Sequence, residues 1–152
     1  MTIYADTSFL VASRYPHDNF HEAALDFYEG HEEAIWLWSP WHRLEVTHAL
    51  RQYTQHPETK PALSAGDARQ LIRRLENDVR LGYFLHLEPD WRDVYRTAYE
   101  LSVSHGFELT FRSGDLLHVA YAVESAADLL VTFDGRQAAL AQAAGLVVEL
   151  PG

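Results

Sequence analysis

The chain has 152 residues, 47% of them apolar and 22% charged, the size and balance of one globular domain with a single good core. It has no cysteine, which excludes a disulfide scaffold, thiol catalysis and Cys-bound zinc or iron–sulfur centres, and fits a reducing, cytoplasmic compartment. Twelve Lys and Arg against 22 Asp and Glu leave a net charge of −10, so the surface as a whole has no attraction for nucleic acid, and phosphate chemistry would have to be local.

The opening segment has no basic leader and reaches an acid at Asp6, so no signal peptide is expected. Every long apolar run is broken by His, Arg or Asp before the ~20 residues of a membrane span, so no membrane partner is expected either. Thr2 to Ala5 reads as a first strand, with Thr7 and Ser8 as the cap of a helix over Phe9 to Ser13. Asp18 or Asn19 can cap a second helix, on which Phe20, Ala23, Ala24, Phe27 and Tyr28 recur at helical spacing until Gly30. Ala34 to Trp38 is a buried strand, Trp41 to Gln55 a helix, and His56 to Pro61 a loop. Ser64 opens a helix to Leu81 with Asp67 three residues on, a variant of the capping box, and Gly82 ends it. A strand over Phe84 to Leu87 follows, then a helix from Pro89–Asp90 to His105. A helix from Ser113 or Asp115 to Ser125, a strand Leu129 to Phe133, a helix Asp134 to Ala144 and a strand Leu146 to Leu150 complete the chain. Strands and helices alternate almost throughout, which predicts one domain of α/β class with a mainly parallel sheet and a site at the carboxyl ends of its strands.

Acids fall on that edge. Asp6 and Asp134 each follow a strand, Asp115 begins an otherwise apolar helix, and Glu45 lies between Leu44 and Val46 on another. Singly, each has an ordinary explanation: Asp115 and Asp134 as helix caps, Asp6 as an acceptor for the Thr7–Ser8 turn, Glu45 as a partly solvated helix residue. Together they form a constellation that capping does not predict.

Asp6-Thr7-Ser8-Phe9-Leu10, Glu45, the run Arg112-Ser113-Gly114-Asp115-Leu116-Leu117-His118-Val119-Ala120, and Leu130-Val131-Thr132-Phe133-Asp134 resemble the PIN domain, and more narrowly its VapC-like toxin ribonucleases. The D-x-L-H-x-A-x-A pattern around Asp115 is the most specific piece and the T-x-D at Thr132 the next. The resemblance implies a three-layer α/β/α sandwich and single-strand-directed, metal-dependent hydrolysis of RNA that leaves a 5′-phosphate. It implies one or two Mg²⁺ or Mn²⁺ ions on Asp6, Glu45, Asp115 and Asp134, with Ser8 and Thr132 tuning the shell and Arg112 and Arg136 steering phosphate. A homodimer restrained by a small antitoxin protein follows from the same resemblance. A housekeeping RNA-processing enzyme and a non-catalytic binding module of the same fold are the alternatives.

The chemistry is consistent. Like charges ~4 Å apart cost about 4 kcal/mol per pair at an effective dielectric of ~20, so four gathered carboxylates must bind cations or protons, and oxygen-only ligands suit hard ions. A phosphoacceptor domain fits less well. The receiver type needs paired early acids and a later lysine, whereas the only lysine is Lys60 in a loop; the phospho-aspartate hydrolase type needs D-x-D, whereas Ser8 stands two places after Asp6.

Other features read as structural. His17 and His21, like Asp18 and Glu22, have a metal-like spacing but no third ligand pair. His118 lies among apolar neighbours as a satisfied core histidine, and Trp36, Trp38 and Trp41 read as core or as a dimer face, with Trp41 a lesser candidate for base stacking. Arg69, Arg73, Arg74 and Arg80 are expected to pair with Asp67, Glu76 and Asp78 or to line a solvated face.

Overall fold

Strand Thr2–Ala5 (β1) lies at the centre of the computed structural model, which describes residues 1–55 and 63–152. The loop read over His56–Pro61, with Lys60, falls outside the described residues. After β1 come helices Thr7–Arg14 (α1) and His21–Glu29 (α2), strand Ile35–Trp38 (β2), and helices Pro40–Tyr53 (α3) and Ala65–Leu81 (α4). Strand Leu85–His86 (β3), helices Trp91–His105 (α5) and Ser113–Glu124 (α6), strand Leu129–Val131 (β4), helix Gly135–Ala143 (α7) and strand Val148–Glu149 (β5) complete the order.

The sheet runs β3-β2-β1-β4-β5 with every neighbouring pair parallel. The predicted "mainly parallel" sheet is therefore parallel throughout the described residues. Register pairs Ile3 with Trp36 on one side of β1, and Tyr4 with Leu130 on the other. Side chains on a strand point alternately to the two faces, and this sorts the core into two layers. Ile3, Ala5, Trp36, Trp38 and Val131 pack with Phe9 and Leu10 of α1, Val46 and Leu50 of α3 and Leu75 of α4. Tyr4, Leu37 and Leu130 face the other way, against Val94 and Ala98 of α5, Val119 and Ala122 of α6, and Leu140 of α7. Each large apolar side chain so buried is worth about 1.5–3 kcal/mol, and strands covered on both faces explain why they read as unbroken apolar runs. Trp36 and Trp38 are core residues, as one of the two readings has it.

Local signals explain most boundaries. Ser64 accepts from the Asp67 N–H at 3.0 Å while its hydroxyl donates to the Asp67 carboxylate at 2.7 Å, and Gly82 leaves α4 in the left-handed conformation at φ 87°. Two caps differ from the sequence reading. Asp6, not Thr7 or Ser8, caps α1. Phe20 occupies the N-cap position of α2, while Asp18 accepts from the Phe20 N–H at 2.9 Å. β3 and β5, edge strands with one neighbour each, are shorter than the predicted Phe84–Leu87 and Leu146–Leu150, and β4 ends at Val131 rather than at Phe133. Among the described residues no helix is long and apolar enough to cross a membrane.

Candidate functional site

β1 and β4 are neighbours that end at the same edge, so the residues just after them must meet. The Asp6 N–H donates to the Val131 carbonyl at 3.1 Å, extending the ladder one residue past β1. This sets the Asp6 side chain against Thr132, whose hydroxyl donates to Asp6 Oδ2 at 2.6 Å. On the other oxygen, Oδ1, Asp6 receives the Ser8 hydroxyl at 2.6 Å and the Phe9 N–H at 3.0 Å. Ser8 and Thr132 thus hold Asp6, and the Phe9 bond makes Asp6 the cap of α1 as well. Burial pushes the Asp6 carboxyl above its ordinary value, against the opposing pull of His118, Ser8, Thr132 and the Phe9 N–H.

Glu45 reaches the same place from α3. That helix is started by Ser39, whose hydroxyl accepts from the His42 N–H at 3.1 Å, with Pro40 in the first turn where its missing N–H is not needed. His118 of α6 bonds through Nε2 to Glu45 Oε2, the same oxygen that takes the Thr7 hydroxyl at 2.5 Å. An ionised carboxylate only accepts, so Nε2 carries a proton and donates it, while Nδ1 pairs with the Tyr4 hydroxyl at 2.8 Å. Burial pushes Glu45 up, but His118, Thr7 and Arg112 outweigh it and hold its carboxyl below the ordinary value. His118 is a satisfied buried histidine, as expected, but Glu45 is what satisfies it. Its appearance and that of Thr7 in the site were missed; the three-residue spacing from Asp115 to His118 inside the D-x-L-H run was the signal available for His118. The second oxygen, Glu45 Oε1, stands so near α6 that a Cβ at Gly114 would lie 3.3 Å from it.

Asp115 and Asp134 sit at helix starts, but only Asp134 is an N-cap, of α7; the N-cap of α6 is Arg112, and Asp115 stands at the third helical position and bonds back to it. Asp115, in the first turn of α6, accepts from the Arg112 N–H at 2.7 Å with the Arg112 guanidinium 3.8 Å away. Asp134 caps α7, accepting from the Arg136 N–H at 2.8 Å with the Arg136 side chain 3.3 Å off. Burial raises the Asp134 carboxyl somewhat, but the Arg136 N–H and guanidinium and the Gln137 N–H outweigh it, so it lies below its ordinary value.

All four acids, with Thr7, Ser8, His48, Ala49, Tyr53, Arg112 and His118, line one open cleft of about 390 Å³. Helix capping does not require the acids to share a cleft, and parallel order brings them there from four separate stretches of sequence. Oxygen-only donors of this kind fit a hard divalent cation. Among the described residues no three His, Asp or Glu side chains are grouped tightly enough to grip one ion as they stand, because each carboxylate is turned to its own donors. Arg136 lies at the rim, and Trp41 lies against Gly114 and His118 outside the cleft lining.

The remaining candidates are structural. His21 spends Nδ1 on the Ala12 carbonyl at 2.7 Å, and the His17 ring packs edge-on to Tyr15. Of the two readings of the α4 arginines the solvated face holds: Arg69, Arg73, Arg74 and Arg80 are exposed, Glu76 is bonded by Arg43 and Asp78 by Arg14, and Arg69 and Arg73 join Arg51 along a cleft between α3 and α4.

A family model for the PIN domain matches residues 3–143 of the chain. No curated protein matches it. Among solved structures, the chain is similar to VapBC2 of Rickettsia felis bound to a DNA fragment from its promoter (TM-score 0.68, 16% identity, covering 98% of each chain). It is also similar to Mycobacterium tuberculosis VapC20, a sarcin–ricin loop cleaving toxin (0.66, 22%, 99% of each chain). FitAcB of Neisseria gonorrhoeae superimposes at 0.66 with 18% identity, covering 98% of this chain and 97% of that one.

Proposed function

The chain belongs to the PIN domain family, and from that premise we propose that it is a Mg²⁺- or Mn²⁺-dependent endoribonuclease acting on single-stranded RNA. The observation that carries this reading is the convergence of Asp6, Glu45, Asp115 and Asp134 on one cleft at the carboxyl edge of the sheet. One or two divalent ions there would supply the Lewis acidity that activates water and offsets charge on the phosphate. Asp6, Glu45 and Asp115 would hold the first ion, directly or through water, and Asp134 would support a second ion or orient the attacking water. Ser8 and Thr132 keep both Asp6 oxygens in register, and His118 with Thr7 does the same for Glu45 Oε2. Arg112 and Arg136 flank the cleft as guanidiniums for phosphate oxygens, a local positive contribution within a chain of net charge −10.

The likeness to a sarcin–ricin loop cleaving toxin and to VapBC2 supports a role as the toxin half of a toxin–antitoxin pair in the cytoplasm, restrained by a small antitoxin that covers the acidic cleft. Self-association is supported by α5, where Tyr95, Tyr99 and Val103 stand exposed at four-residue intervals with exposed Phe107 four residues beyond.

The test is cleavage of end-labelled RNA, single-stranded and duplex, with Mg²⁺ or Mn²⁺ and with chelator. Metal-dependent cutting of the single strand by wild type, absent in Asp6→Asn and Asp115→Asn, is expected. Undiminished cutting in both variants overturns the assignment. Growth arrest on expression, relieved by co-expression of the adjacent small gene, tests the toxin role against a housekeeping one.

A further inference from the structure

Beside the acidic cleft lies a second one of about 390 Å³ that shares Ser8, Tyr53 and Asp134 with it. Its remaining walls include Phe20, Phe133 and Arg136. The two aromatic rings are nearly parallel, 12° apart with centroids at 4.6 Å. Phe133 in turn stacks on Phe9 (5.7 Å, 14°), and Phe9 on Trp36 (5.6 Å, 16°). Four near-parallel rings therefore run from the buried heart of the sheet to this cleft, and the outermost, Phe20, is 48% exposed.

A lone exposed aromatic ring on a protein surface needs no explanation. This ring stacks on Phe133, which is itself backed by Phe9 and Trp36, and it lines a cleft continuous with the cleft of carboxylates. Its wall also carries a guanidinium, which Asp134 anchors at the boundary between the two clefts. Asp18, the other acid of the second cleft, is turned to the Phe20 N–H. A planar, uncharged group joined to an anion matches this arrangement, and a nucleobase with its phosphate is such a group. Stacking on a rigid ring is sequence-tolerant, since every base has a π-face.

We infer that this cleft is a nucleobase subsite, in which the base flanking the scissile phosphate stacks on Phe20 while Arg136 takes the phosphate between the two clefts. The inference rests on the endoribonuclease reading and adds the positioning of the strand to it. Phe20 binds substrate here and takes no part in bond breaking, so its loss should appear in KM and leave kcat nearly unchanged.

The experiment uses short single-stranded RNAs carrying 2-aminopurine at each position in turn around the cleavage site, with wild type, Phe20→Leu and Phe20→Trp. In wild type, fluorescence at one flanking position should fall on binding, and an abasic site at that position should raise KM about ten-fold or more. Phe20→Leu keeps the apolar volume but lacks the π-face; quenching should disappear, and intact and abasic substrates should give the same KM. Phe20→Trp should restore both. Phe20 is half-exposed, so all three proteins should melt alike. Wild type that cleaves RNA with no quenched position, or Phe20→Leu with unaltered quenching and KM, overturns the subsite while leaving the nuclease reading intact. Wild type that cleaves no RNA under any metal overturns the reading beneath it.

Discussion

The two halves of the acidic cleft hold their carboxylates by different means. Asp6 and Glu45 are gripped through hydroxyls, a backbone N–H and a histidine: Ser8, Thr132 and the Phe9 N–H for one, Thr7 and His118 for the other. Asp115 and Asp134 stand at helix starts beside arginines that lie three residues before and two residues after them. The first pair depends on side chains brought together by the sheet; the second depends on its own helix. Capping and function are therefore not competing explanations for Asp115 and Asp134, because a helix placed at the carboxyl edge of a strand delivers its N-terminal acid to the site.

The largest effect that tests this contrast is on catalysis. Asp6→Asn and Asp115→Asn should each lower cleavage by more than the ~10–100-fold that losing an outer partner of a metal ligand costs. Both should remain folded, because Asn keeps an acceptor for the α1 and α6 N–H groups. Unfolding of either variant would reduce its acid to a cap. Next is metal itself. Mg²⁺ or Mn²⁺ at 100 times its Kd should stabilise wild type by about 2.7 kcal/mol over the chelated protein, read as a higher melting temperature, and Asp6→Asn should lose that rise.

Cap and charge separate at Asp134. Asp134→Ala should destabilise the fold by ~1 kcal/mol through loss of the α7 cap, whereas Asp134→Ser, a good N-cap, should recover most of it. Neither should recover full cleavage. If Asp134→Ser cleaves as wild type does, the rim acid is structural only.

The same contrast appears against pH in chelated protein. Asp6, raised by burial, binds its proton more readily folded than unfolded. Its contribution is therefore complete below the ordinary carboxylate value and is lost as pH rises through the raised one. Asp134 is lowered, so its contribution is complete above the ordinary value and is lost as pH falls through the lowered one. Melting curves should show Asp6→Asn gaining on wild type toward neutral pH, and Asp134→Asn falling behind it there and converging in acid. Smallest of all, Arg136→Ala should leave the melting temperature unchanged and raise KM for RNA most at low salt, since an exposed guanidinium acts mainly through a screened charge.

Much of this was legible before any coordinates. Ser64 with Asp67, Gly82 and the alternation of apolar runs with helical periods place the elements within a few residues, because caps and periodicity act over two to four positions. The positions of Asp6, Asp115 and Asp134 after strands and at a helix start point to one edge of a parallel sheet, and Glu45 joins them from within an apolar helix. The misplaced α1 cap has a tertiary cause: Asp, Thr and Ser are all good caps, and the choice of Asp6 follows from β1 continuing its ladder to the Val131 carbonyl.

By itself the sequence determined the α/β alternation, the family resemblance and the identity of the acids. Tertiary structure alone decided how those acids are held and what lies beside them. Glu45 meets His118 across 73 residues and Asp6 meets Thr132 across 126. The stack from Trp36 through Phe9 and Phe133 to Phe20 draws on four separate stretches of chain. Contacts at such separations leave no period in a sequence. They exist because the order β3-β2-β1-β4-β5 makes the first strand neighbour to the second and the fourth, and only a closed fold sets that order.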